Sequence, residues 1–133
     1  MAITVFGLKS GLRLQRKDTY FQYSTSEQFT GMYWIDGKKI YCKTVNIGAL
    51  NSTRKDVNHG VSSINEIVDV KGIAYVIDSR GAKVWVLFPR AHLDNDHDGI
   101  SLMVTETLVA VDVGVNNVFS KCYVTIYYTK TTG

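Results

Sequence analysis

Alternation with a period of two runs through most of this chain, and no stretch of eleven or more residues follows a convincing 3.6-residue repeat. The closing segment shows the alternation most strongly. Cys122, Val124, Ile126 and Tyr128 alternate there with Tyr123, Thr125, Tyr127 and Thr129, nearly all β-branched or aromatic. Residues two apart on an extended strand share a face, so Tyr127 and Tyr128 point to opposite faces and one of them is expected to look outward, as an interface contact in an oligomer. A chain patterned this way hides its apolar faces only by stacking sheets or closing one on itself.

The rest of the chain follows the same rule. In Lys39–Ile47 the side chains of Tyr41, Lys43, Val45 and Ile47 lie on one face, and those of Ile40, Cys42, Thr44 and Asn46 on the other. Ile64–Val70 and Ile73–Asp78 read as strands separated at Lys71-Gly72, a turn or a bulge. Val84–Phe88 is continuously apolar and is closed by the single proline, Pro89, the pattern of a strand buried on both faces, with Trp85 in the core. Ile100–Thr105 and Leu108–Val113 form a pair with a tight connection, and Ile3–Phe6 and Tyr20–Tyr23 add two short strands. Ser24 followed by Glu27 resembles a capping box and predicts one short helical turn over Ser24–Phe29. About eight strands with turn signals at roughly ten-residue intervals predict an all-β, antiparallel, jelly-roll-like β-sandwich with little helix.

Composition bounds the function. At 133 residues and 45% hydrophobic content the chain suffices for one core, and no run of eighteen apolar residues marks a membrane span. Lys9, Arg13, Arg16, Lys17 and Asp18 break up the first twenty residues and argue against a secretory signal. The net charge of +3 is too mild to announce a nucleic-acid partner, although residues 1–50 carry seven basic and three acidic side chains. Cys42 and Cys122 lie in strand-like runs without metal-ligand spacing and read as buried free thiols.

The most suggestive local cluster is Asp94-Asn95-Asp96-His97-Asp98-Gly99. Alternate carboxylates before a glycine match the opening of a calcium loop, but the twelfth position is Thr105, and Glu106 falls one residue late. The cluster therefore reads as a polar hairpin loop between the Val84–Phe88 and Ile100–Thr105 strands, with no metal expected. His59, His92 and His97 do not converge in the sequence, and nucleophile-elbow, P-loop and dinucleotide fingerprints are absent. Neither an enzyme nor a cofactor is expected. The aromatic residues Tyr33, Trp34, Tyr41, Tyr75, Trp85, Tyr123, Tyr127 and Tyr128 are candidate stacking platforms for sugars or single-stranded nucleic acid, against the alternative of core and interface packing, which is the expectation for Trp85.

Several short motifs occur in a telling order: Ser26-Glu27-Gln28-Phe29-Thr30-Gly31, Trp34-Ile35-Asp36-Gly37-Lys38, Ile40-Tyr41, Ile47-Gly48-Ala49-Leu50-Asn51, His59-Gly60-Val61 and Tyr128-Thr129-Lys130-Thr131-Thr132. This order resembles the C-terminal tip domains of bacteriophage tail-fibre and head-fibre proteins. The similarity covers residues 24–133, with Lys39 where the family commonly has proline and Gly133 where it usually has aspartate. It implies a tip domain over residues 24–133 and an attachment segment over residues 1–23. It further implies a homotrimer in the virion, joined to other virion proteins, that binds a glycan or protein receptor on the host-cell surface without membrane insertion or nucleic-acid binding. The loop Asp94, Asn95, Asp96, His97 and Asp98 is the expected receptor contact. A stand-alone carbohydrate-binding module, with an aromatic row on an exposed sheet face, and an OB-like nucleic-acid binder are the alternatives.

Overall fold

The computed structural model describes residues 21–51, 54–88, 100–113 and 118–132. Within them lie eight strands: β1 (Gln28–Tyr33), β2 (Lys39–Asn46), β3 (Arg54–Asn58), β4 (Ile64–Ile77), β5 (Lys83–Phe88), β6 (Ile100–Val104), β7 (Leu108–Val113) and β8 (Lys121–Lys130). They form a five-stranded sheet, β1-β2-β8-β4-β5, and a three-stranded sheet, β3-β7-β6, in which every pairing is antiparallel. The all-β sandwich expected from the alternation is the fold observed. No helix occurs among the described residues, so none is long and apolar enough to cross a membrane.

One core lies between the sheets. From the large sheet it takes Val45, Ala74, Phe88, Val124, Ile126 and Tyr128, and from the small sheet Ile100, Val109, Val111 and Val113. The alternate residues of β8 thus meet the small sheet as their spacing required, and Cys122, Val124 and Ile126 are completely buried.

Several local expectations are corrected. Lys71-Gly72 is neither a turn nor a bulge: β4 runs unbroken from Ile64 to Ile77, and its register shifts fall earlier, between Ile64 and Glu66 and between Ile67 and Asp69. Gly72 is there because its backbone lies against the ring of Phe88. Ser24–Phe29 forms no helical turn. Ser24 instead accepts a hydrogen bond from Ser26 N–H at 3.0 Å, while Gln28 and Phe29 open β1. Phe21–Tyr23 is not a strand, and Ile3–Phe6 lies outside the described residues. The Ile100–Thr105 and Leu108–Val113 hairpin is present, closed by Thr105 N–H donating to Leu108 O at 2.9 Å.

The connection from β5 to β6 is not a hairpin, because β5 belongs to the large sheet and β6 to the small one. The Val84–Phe88 run is not buried on both faces either. Lying at the sheet edge beside β4 alone, β5 sends Phe88 into the core and leaves Trp85 and Leu87, on its other face, 57% and 73% exposed. Tyr127 and Tyr128 are both buried. Tyr128 fills the core, while Tyr127 is covered on the outer face by Ile40, Cys42, Trp34 and Val68 and shares a 2.9 Å hydroxyl hydrogen bond with Tyr23.

Candidate functional site

The outer face of the large sheet has two unlike halves. Over β2 and the end of β8 it is closed by the Ile40, Cys42, Tyr127, Trp34 and Val68 cluster. Over the later part of β4, from Ile73, over β5 and over the start of β8 it is open, because among the described residues no element crosses it. The register places Trp85 opposite Tyr75, and Tyr75 opposite Lys121, in one row across three strands. The neighbouring row is Leu87, Ile73 and Tyr123.

The Tyr75 and Trp85 rings have centroids 5.3 Å apart and are tilted by 55°. The Lys121 ammonium stands 5.5 Å from the Tyr75 centroid, a cation–π contact. Together with Ile73, Ala74, Lys83 and Tyr123 these residues line a shallow depression of about 370 Å³. Its two charged side chains, Lys83 and Lys121, are both exposed, and no carboxylate lines it. Ser120 ties down the β8 end, since its N–H and its hydroxyl both donate to Tyr75 O, at 2.9 and 3.2 Å. Flat rings and cations on a rigid sheet can stack a planar or pyranose ring and hold a negative charge beside it.

A second exposed apolar cluster occupies the opposite edge of the same sheet. Phe29 and Tyr33 of β1 meet edge to face at 5.8 Å, near exposed Met32 and Ile35. Ile35 sits at the tip of the β1–β2 hairpin. There Asp36 accepts a hydrogen bond from Lys38 N–H at 3.0 Å and Gly37 takes a positive φ of 87°, which explains locally why Asp-Gly stands in the Trp34–Lys38 motif.

Comparison with protein-family models, curated proteins and solved structures finds no match to this chain.

The expected receptor-contact residues Asp94, Asn95, Asp96, His97 and Asp98 lie outside the described residues, as does His92. His59 is buried and serves the fold. Its Nδ1 accepts from Val61 N–H at 3.1 Å, which leaves Nε2 to carry the proton and donate to Thr105 O at 3.0 Å. Cys42 and Cys122 are buried free thiols, which burial pushes up to about 11 and about 12. Among the described residues no three His, Cys, Asp or Glu side chains gather as a metal site.

Of the aromatic residues singled out in the sequence, Tyr75, Trp85 and Tyr123 come together. Trp34 is half-buried and donates to Glu66 at 3.1 Å, Tyr41 stacks on Tyr128 in the core, and Tyr33 stands on the far edge. Trp85 was expected in the core and is instead the most exposed ring of the depression. The available signal was the shared face of Trp85 and Leu87, but in an all-apolar run that pairing carries no polarity contrast.

Proposed function

We propose that this chain is the distal domain of a bacteriophage fibre, a virion protein that assembles as a homotrimer and attaches to a receptor on the host-cell surface. The motif order from Ser26 to Thr132 supports the fibre-tip part of this reading. The single observation that carries the binding part is the open outer face, where exposed Trp85 packs against half-buried Tyr75 on paired strands. Exposed clustered rings of this kind mark binding surfaces in soluble proteins. Linked copies in a trimer would turn a weak single site into firm attachment, because binding one copy raises the effective concentration of the others at the surface.

The test is competition for adsorption. Added domain blocks phage adsorption to host cells, and Trp85→Ala abolishes the block while leaving the fold intact by circular dichroism. Full blocking by Trp85→Ala sinks the reading.

The same ring pair also favours a second reading, a stand-alone carbohydrate-binding module with its aromatic row on one sheet face. Light scattering separates the two. A mass near three times 14.9 kDa supports the fibre tip, and a monomer at all concentrations supports the module.

A further inference from the structure

We infer that the depression between β4, β5 and β8 binds an anionic saccharide, a pyranose bearing a carboxylate or phosphate, stacked on Trp85 beside Tyr75 with its negative charge between Lys83 and Lys121. The inference rests on the receptor-binding reading and names the ligand class of that same site.

Three observations carry it. The first is shape. The depression of about 370 Å³ sits at the lower end of the range of small-ligand sites, which suits one or two sugar rings. The row Trp85, Tyr75, Lys121 crosses three strands, about 10 Å at the ordinary strand spacing, so one or two sugar rings starting on Trp85 span Tyr75 and bring a substituent to Lys121.

The second is the ring surface. A pyranose presents a face of C–H bonds, slightly positive, which suits the negative face of an aromatic ring. Trp85 is the most exposed ring of the site, and its position in a strand paired with β4 means that little motion is lost on binding.

The third is charge. Lys83 and Lys121 line the site, no carboxylate does, and among the described residues neither lysine has an ion-pair partner. The nearby Lys71 differs, being matched with Asp69 at 3.8 Å. Two unpaired cations beside a sugar platform favour an acidic sugar over a neutral one. A single-stranded nucleic acid also stacks and is also anionic, but it needs a cationic track along several phosphates. Here the cationic pair spans one short depression, and Asp78 lies just beyond Ile77 at the β4 end.

The experiment measures binding of the whole chain to immobilised polygalacturonate, hyaluronate and a hexose 6-phosphate. Each is set against its neutral counterpart, the methyl ester or the dephosphorylated sugar, and an oligonucleotide of mixed sequence is the further arm. The expected result is binding to an acidic member about tenfold tighter than to its neutral form, weakened by salt and equalised in Lys83→Ala/Lys121→Ala. Trp85→Phe keeps most of the affinity and Trp85→Ala loses it. The uronate and phosphate arms identify which acid is held. Equal binding of acidic and neutral forms, no binding to any acidic member, or tighter binding of the oligonucleotide overturns the inference. In each of these cases Trp85→Ala still losing its block of host-cell adsorption leaves the receptor reading standing, whereas an unchanged block removes both.

Discussion

Gly72 and Phe88 face each other across the β4–β5 pair, and the backbone of Gly72 lies so close to the Phe88 ring that a β-carbon at position 72 would overlap it. The ring is buried in the core and cannot swing aside without displacing neighbours. Gly72→Ala is therefore expected to cost about 1–3 kcal/mol by overpacking, read as a lower urea midpoint with an unchanged slope. Adding Phe88→Leu should recover part of that loss, so the double variant costs less than the two single changes summed. Strict additivity would show that the contact is not the cause.

The carboxylate of Glu27 accepts the Tyr128 hydroxyl at 2.6 Å and pairs with the Lys130 ammonium at 3.0 Å. Burial alone would push this carboxyl up, but the Tyr128 and Lys130 hydrogen bonds, the Lys130 charge and that of Lys43 outweigh it and hold it below the ordinary value of 4.5. A carboxyl with a lower pKa folded than unfolded adds stability that is present above the unfolded value and fades as pH falls through the folded one. Tyr128→Phe should cost about 1.5–3 kcal/mol at pH 7, since it deletes a hydrogen bond to a charged group. It should also lose less further stability than the parent between pH 5 and pH 3. Parallel stability curves over that range, from urea unfolding at each pH, would count against this role for Glu27.

His59 holds the end of β3 to the β6–β7 turn through Nε2, which donates to Thr105 O, and through its own N–H, which donates to Thr107 O at 3.1 Å, while Nδ1 accepts from Val61 N–H in the segment after β3. His59→Ala leaves the Val61 N–H and the Thr105 carbonyl without their side-chain partner. The expected loss is on the order of 3 kcal/mol, seen as a drop in Tm of about 10 °C. A change below about 0.5 kcal/mol, the usual range for surface positions, would mean that water replaces the ring at no cost.

The two thiols should be inert in the folded protein. Burial keeps Cys42 and Cys122 protonated, up to about 11 and about 12, and only the thiolate reacts. A thiol reagent at pH 8 is expected to label neither within minutes, and to label both at once in guanidinium. Rapid labelling of the native chain would reveal an opening that exposes β2 or β8.

The fold class was legible because β8 is an extreme case. Its Cys122, Val124, Ile126 and Tyr128 face required burial, and it became the central strand of the large sheet. β3 was not legible, since Arg54-Lys55-Asp56-Val57-Asn58 has one apolar residue and is held as a strand by pairing along β7. β1 was hidden by the Ser24 and Glu27 spacing. Glu27 is used not to cap a helix but to meet Tyr128 and Lys130, more than a hundred residues away in sequence.

By itself the sequence determined that the two faces of an alternating strand must differ and that the apolar faces must be hidden by stacking or closing sheets. Each of these follows from backbone geometry acting over a few residues. Only the tertiary structure decided which faces stay open. Tyr127 is covered because Tyr23 and Trp34 pack over it, and Trp85 is bare because β5 ends the sheet and none of the described elements covers its outer face. The physical reason is that a period of two records a strand's two sides without recording what lies against them. That depends on pairings such as Tyr75 with Lys121, which join residues far apart in the chain and exist only once the sheet has formed.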